Sequence, residues 1–172
     1  MSTTTTHSLE PVLHSFSYAL DFLREQVADV APAQMVAQPT GIANHPAWVI
    51  GHITCACQLL GGVIGIEPWL PDDWTSRFGT GSAPLADAGA YASKEHALAM
   101  LRDAQSRIVS AVETLDESAL DQPFPDPSYR DVFPTVRHAL TQVLVGHTSM
   151  HVGQISVWRR AMKLPAMTRA FE

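Results

Sequence analysis

The chain has 172 residues, which suits a single domain large enough to bury a sizeable core. Hydrophobic residues make up 46% and charged residues 16%, a globular composition that is slightly poor in charge. The formal net charge is −6, and no cluster of Lys or Arg appears. Because nucleic-acid binding depends on basic contacts to phosphates, we expect one domain over residues 1–172 that binds no nucleic acid.

The predicted location is the cytoplasm, with no membrane segment. The longest apolar stretch is placed in the last helix, where Gln142 and His147 interrupt it. The N-terminal run MSTTTTHSLE lacks the basic and apolar regions of a signal peptide. Cys55 and Cys57 point about 200° apart on a helix, so they can neither bridge nor chelate together. We interpret both as small buried packing residues.

Two helices are predicted in the first third of the chain. The first runs from about Ser8 to Val30, with Ser8 as its cap and Pro11 in its first turn. The second opens at Asn44, carries Pro46 in its first turn and runs to about Leu60. There the pair Gly61-Gly62 weakens it.

Two more helices are predicted after long links. The third runs from about Asp87 to Leu115, and the fourth from about Pro134 to Leu164. Nothing alternates like a strand for long, so we predict an all-α four-helix bundle. The link 66–84 is long enough to cross the whole bundle, which lets the second and third helices run parallel.

The two long links, 66–84 and 116–133, are rich in aromatic residues. These side chains suit the roof of a pocket, and they equally suit a cover over the end of the bundle. The aromatics concerned are Trp69, Trp74, Phe78 and Tyr129. Both interpretations stay open at the level of sequence.

Three histidines are expected to face the bundle interior. His147 and His151 are four residues apart, so they project from one face of the fourth helix. That face also carries Val136, Leu140, Val143 and Leu144. His52 lies on the second helix, on a stripe with Trp48, Cys55 and Leu59.

A glycine precedes two of these histidines, in Gly51-His52 and Gly146-His147. Glycine inside a helix is unfavourable by about 1 kcal/mol relative to alanine, so its occurrence at both positions needs an explanation. We predict that the two glycines let the backbones of the second and fourth helices approach closely at the same height in the bundle.

Two interpretations of the histidines remain. Buried imidazoles need partners or a metal, and three of them converging from two helices would leave open positions on a divalent cation. The alternative is three core histidines that are satisfied separately. The chain has no H-E-x-x-H, which excludes a zincin, and no Glu-x-x-His, which disfavours a ferritin-like di-iron site.

Three runs carry a resemblance to a known family: NHPAWVIGHI, DESALDQPFP and TVRHALTQVLVGHTSMHVGQISVWRRAMKLP. They resemble the DinB-like superfamily of four-helix proteins over essentially the whole chain. The last run is the most specific, with a histidine followed four residues later by His-x-Gly-Gln and a closing arginine. The resemblance implies an up-down-down-up bundle and a divalent metal held by His52, His147 and His151. Relatives of this kind look like thiol-dependent transferases or isomerases, or metal-dependent hydrolases.

The expected function is metal-dependent chemistry on a small molecule. Three imidazoles without a carboxylate suit zinc or nickel. Such an ion activates a low-molecular-weight thiol or water, which attacks a small electrophile held under the links 66–84 and 116–133. Gln154 is expected either to orient a ring nitrogen or a water, with Cys55 and Trp48 close by, or to be a helix residue that is hydrogen-bonded across the bundle. The alternative is a non-catalytic metal-binding or stress-response module.

The remaining expectations concern the periphery. His45 is expected to be solvated at the start of the second helix, and His138 to lie on another face than the three histidines. Arg159 and Arg160 are expected to complement the C-terminal end of their own helix. Surplus apolar surface predicts a homodimer, unless the two long links take up that surface.

Overall fold

The computed structural model describes residues 9–167, in which four long helices form an up-down-down-up bundle. The predicted all-α class is confirmed, and in this range the one strand-like pairing is an isolated bridge between Pro123 and Thr135. The helices are α1 (Glu10–Ala28), α2 (Pro46–Val63), α3 (Lys94–Thr114) and α4, which continues through Val136–Thr141, a π-helical segment Gln142–His147, and Thr148–Ala161. α1 packs mainly on α4, and α2 on α3.

The start of α2 differs from the prediction because of a side-chain cap. The N-cap residue is His45, whose Nδ1 accepts a hydrogen bond from the backbone N–H of Trp48. Asn44 therefore lies outside the helix. At the other end the helix continues past Gly61-Gly62 to Val63, and a Cβ at Gly61 would lie 3.0 Å from the ring of Trp69.

The outer helix boundaries also differ. α1 begins at Glu10, and the predicted cap Ser8 lies outside the described residues. α3 begins at Lys94, because the side chain of Asp87 accepts from the N–H of Gly89 and starts a 3₁₀ turn instead of a helix. Ser93 caps α3 by accepting from the N–H of His96.

The link between α2 and α3 is fastened to the middle of α2. It contains a short helix, Trp74–Phe78, whose two aromatic ends are both buried. The indole of Trp74 donates to the carbonyl of Gly51 at 3.1 Å, and the ring of Phe78 lies directly over the same glycine. These contacts place the crossover against the face of α2 that carries His52.

Arg159 has a different role from the one predicted. It is 3% exposed, forms an ion pair with Asp29 and donates to the carbonyls of Gln26 and Pro165. It therefore complements the C-terminal end of α1 and not that of its own helix. The guanidinium holds the pKa of the Asp29 carboxyl below its usual value. Arg160 is exposed.

The most apolar helix is α2, and not α4 as expected. Among the described helices, α2 alone has the length and mean hydropathy of a membrane span, with 67% of its residues buried in the bundle. A helix surrounded by other helices is apolar on all sides for that reason.

Candidate metal centre

Three histidine rings converge between α2 and α4. One ring nitrogen from each of His52, His147 and His151 lies within 4.8 Å of the other two. Within residues 9–167 this is the single group of three or more His, Cys, Asp or Glu side chains arranged in that way. The Nε2 atoms of His52 and His147 are 3.0 Å apart. The structure thus brings together the three residues that the sequence singled out, while their role as metal ligands stays a prediction.

His52 is held in place from its outer side. Its Nδ1–H donates to the carbonyl of Phe78 at 2.6 Å, which leaves Nε2 with a free lone pair facing the other histidines. That carbonyl is available because it is at the end of a short helix and has no intrahelical donor. The indole of Trp48 stacks on the His52 ring, with centroids 4.5 Å apart and planes 11° apart, as expected of a residue near the site.

The space beside Gly51 is filled by the aromatic ring of Phe78 and not by the backbone of α4. A Cβ at Gly51 would lie 2.2 Å from the ring of Phe78, the residue whose carbonyl holds His52. A Cβ at Gly146 would meet the side chain of Gln142, in the same helix, at 3.0 Å. The predicted approach of α2 and α4 through paired glycines is therefore wrong. Leu59, predicted on the inward stripe, is 54% exposed.

His147 lies at the end of the π-helical segment of α4. Such segments contain one extra residue per turn and are frequent at functional sites. Its Nδ1 is buried and has no hydrogen-bond partner among the described residues. The orientation of this ring therefore depends on what its other nitrogen binds.

His151 is held through an amide. Its Nδ1 lies 2.9 Å from Oε1 of Gln154, one turn later in α4, and Asn44 Nδ2 lies 2.9 Å from that same oxygen. Gln154 therefore lies where the sequence places it, next to a ring nitrogen. Cys55 is buried beside Thr75 and is no member of the histidine group, and burial raises the pKa of its thiol.

All three rings are neutral near pH 7. Burial lowers the pKa of each, and for His147 burial together with the nearby His151 and His52 brings the pKa to about 4. Metal ligation requires neutral imidazoles, so these rings need not lose a proton to bind a cation. Three nitrogen donors, two of them held from behind and one with an unpartnered outer nitrogen, fit a divalent ion with an open coordination position.

The sequence matches the model of the DinB superfamily over residues 16–155, most of the chain. The chain belongs to the DinB superfamily. The fold is shared with a conserved protein from Enterococcus faecalis at a TM-score of 0.73 and 18% identity, covering 91% of this chain and 98% of that one. It is also shared with YfiT from Bacillus subtilis at a TM-score of 0.63 and 15% identity, covering 96% and 93%. YfiT is described as a probable metal-dependent hydrolase with an unusual four-helix bundle topology. No curated protein matches the sequence.

Two grooves lie along α4 of this DinB-superfamily bundle, and none of His52, His147 and His151 lines either of them. The larger, of about 590 Å³, separates α1 from α4 and includes Tyr18, Phe22 and Val152. The smaller, of about 490 Å³, lies between α4 and the segment 41–44 and reaches Asn44 and Gln154. The smaller groove is thus separated from His151 by one hydrogen-bonded side chain.

The predicted pocket roof is only partly present at the site. Phe78 and Trp74 of the first link lie against α2 next to His52. The second link forms its own aromatic cluster of Phe124, Tyr129 and Phe133, with Tyr129 53% exposed, and it lines neither groove.

His45 is a structural histidine that the sequence interpretation missed. It is fully buried, and besides capping α2 its Nε2–H donates to the carbonyl of Leu85 at 3.0 Å. The expectation of a solvated ring is therefore wrong. The signal was the order His-Pro at a helix start, which places a ring with an acceptor nitrogen at the N-cap. His138 is exposed on α4 and contacts Thr135, as expected of a residue outside the site.

Proposed function

We propose that this protein is a metal-dependent enzyme that holds one divalent ion, zinc or nickel, with His52, His147 and His151. The observation that supports this most directly is the convergence of three neutral imidazoles, in a group to which no Asp or Glu of residues 9–167 contributes. When bound, such an ion lowers the pKa of a coordinated thiol or water enough to make it a nucleophile at neutral pH.

The chain's own residues supply orientation and exclude water. The carbonyl of Phe78 and the amide of Gln154 fix the proton of each neighbouring ring on Nδ1, so that Nε2 faces the centre. Trp48 covers one side of the His52 ring and presents an edge toward His151. A small electrophile would reach this centre from the smaller groove, next to Gln154.

Metal content tests the ligand set. We expect purified protein to hold about one equivalent of zinc or nickel, and the variants His147→Ala and His151→Ala to hold far less. His138→Ala is the matched control, because it removes an exposed histidine from the same helix. Equal metal content in all four proteins would overturn the proposed ligands.

An activity assay separates thiol transfer from hydrolysis. The metal-loaded protein is given an electrophilic aromatic acceptor with and without several low-molecular-weight thiols. Turnover that requires the thiol identifies a transferase, and turnover without it identifies a hydrolase. Neither cysteine is placed to act as the nucleophile, since both are buried and burial raises the pKa of each thiol, that of Cys57 to about 12.

A second candidate function is a non-catalytic metal-binding module. One observation favours it: neither groove is lined directly by the three histidines. It predicts a metal that has no exchangeable water and a protein that turns over no substrate. Water exchange at a bound paramagnetic ion such as Co²⁺, followed by nuclear relaxation of the solvent, distinguishes an open site from a closed one.

We also propose that the protein is a cytoplasmic homodimer that works on small molecules and not on nucleic acid. Exposed apolar side chains on the outer faces of α1 and α4, namely Tyr18, Met150 and Val157, border the two grooves and offer surface for a second copy. Light scattering over a concentration series tests this. A monomer mass that persists at high concentration would contradict it.

A further inference from the structure

Asn44 and His151 both contact the same side-chain oxygen, Oε1 of Gln154. The side-chain nitrogen of Asn44 lies 2.9 Å from Oε1 of Gln154, and Nδ1 of His151 lies 2.9 Å from that same atom. Asn44 precedes α2 by two residues in the chain, whereas Gln154 and His151 belong to α4. The contact therefore joins α4 to the segment that leads into α2, and these two helices carry the three histidines.

The segment that carries Asn44 is fixed on both sides. Gln38 donates to the carbonyl of Ala43 at 2.9 Å, and the buried His45 donates to the carbonyl of Leu85 at 3.0 Å. Asn44 is thus presented to Gln154 by a backbone that has little freedom, although it belongs to no helix.

The hydrogen bonds in this chain of groups have one consistent direction. The side chain of Asn44 touches Gln154 through its NH₂ group, which can only donate, so Gln154 must present its oxygen and not its own NH₂. An oxygen at that place can only accept from His151, which puts the ring proton on Nδ1. The lone pair is then on Nε2, the nitrogen that a metal would bind.

We propose that Asn44 is a positioning residue of the metal centre: by donating to Gln154 it fixes the direction of that amide, and through it the tautomer of His151. The effect on metal binding rests on the proposed function, whereas the effect on the Gln154 amide and the His151 tautomer does not. Asn44 is not one of the three proposed ligands; it acts on His151 through Gln154.

The substitution Asn44→Asp tests this sharply because two physical effects have opposite signs. A carboxylate near the site attracts a divalent cation, so simple electrostatics predicts tighter metal binding. A carboxylate also cannot donate, so Gln154 would turn its NH₂ toward both Asp and His151. His151 would then accept at Nδ1 and carry its proton on Nε2, where it blocks the metal.

We expect Asn44→Asp to weaken zinc binding by about 10- to 100-fold, the usual effect of losing a partner that orients a ligand. Asn44→Ala leaves Gln154 free to choose its direction and should lose less than tenfold, on the order of a fewfold. Gln154→Glu keeps an acceptor between the two groups and should retain wild-type affinity or exceed it. Affinities are measured by competition with a chromophoric chelator, and far-UV circular dichroism verifies that each variant is folded.

The tautomer is read directly in metal-free protein. Two-dimensional ¹⁵N–¹H spectra of the histidine rings should show His151 with its proton on Nδ1 in wild type and on Nε2 in Asn44→Asp. This arm needs no metal, so it tests the positioning role even if the wild type binds none, an outcome that would overturn only the proposed function. Zinc affinity of Asn44→Asp equal to or above that of Asn44→Ala, or an unchanged His151 tautomer, would overturn the positioning role.

Discussion

His52 and His147 follow the same residue, glycine, and point their Nε2 atoms at each other, yet their surroundings are opposite. His52 donates from its outer nitrogen to the carbonyl of Phe78 and is stacked on Trp48. His147 ends a π-helical segment, and its outer nitrogen has no partner in the described part of the chain. One ring is oriented by the folded protein itself, while the other is oriented only by what binds its inner nitrogen.

This difference suggests a division of labour within one site. A ligand that is fixed before the metal arrives contributes preorganisation, since its ordering has already occurred on folding. A ligand without an outer partner carries the cost of a buried unsatisfied nitrogen in the metal-free state. Metal binding at Nε2 would not relieve that cost, because the unsatisfied nitrogen is Nδ1.

The largest effect is expected from His52→Ala in metal-free protein, measured against His147→Ala. His52→Ala leaves the carbonyl of Phe78 without its donor and removes a buried ring, which should lower the free energy of unfolding by about 2–4 kcal/mol. His147→Ala removes a half-buried ring whose Nδ1 has no partner among the described residues and whose Nε2 contacts only His52, so we expect a smaller loss, of about 1 kcal/mol or less. Urea unfolding with a chelator present measures both.

The same two variants should behave alike toward metal, because each removes one of three proposed ligands. Zinc affinity, measured for the same two variants, is the control, and both should lose affinity to a similar extent. Equal losses of stability in the two variants would show that the contrast between the two rings has no energetic consequence.

A smaller effect is expected from alanine at the two glycines. In Gly51→Ala the new Cβ would meet the ring of Phe78 at 2.2 Å, so the ring and its carbonyl must move away from His52. We expect a loss of about 1–3 kcal/mol and weaker zinc binding. In Gly146→Ala the new Cβ meets only the end of the exposed Gln142 side chain, which can rotate away.

Gly62→Ala is the matched control for Gly51→Ala, since it lies in the same helix and no atom in the described part of the chain lies within 4 Å of its new Cβ. It should be neutral or stabilising, by up to about 1 kcal/mol, from the better helix propensity of alanine. A Gly51→Ala protein as stable as Gly62→Ala would contradict the packing role assigned to Gly51. Thermal unfolding of the three variants decides this.

Sequence reasoning identified the three histidines because helix periodicity determines which residues share a face, and that periodicity is local. It could not identify Phe78 or Asn44 as partners, because these contacts join segments far apart in the chain through a backbone carbonyl and a loop amide. It also could not foresee the π-helical segment, which depends on one extra residue in a turn and leaves the apolar pattern almost unchanged. The sequence also marks Gly51 as a position of close approach, but the group that approaches it is the ring of Phe78 and not the backbone of α4.

The smallest expected effect is the loss of folding stability at acidic pH that comes from His147. Burial lowers the pKa of His147 to about 4 from an ordinary 6.5, so between these values the unfolded chain binds more protons than the folded one. The contribution of this ring to stability is therefore fully present above pH 6.5 and is lost as the pH falls toward about 4. One such group changes the free energy of unfolding by at most about 1.4 kcal/mol per pH unit, and by less for a ring that is only partly buried.

We therefore expect metal-free wild-type protein to lose stability from pH 7 to pH 5, and His147→Ala to lose about 1 kcal/mol less over that range. His45 and His52 are also buried rings whose pKa burial lowers, so a residual slope remains in that variant. Chemical denaturation at each pH measures the slopes, and parallel slopes for wild type and His147→Ala would show that His147 does not carry this share of the acid sensitivity.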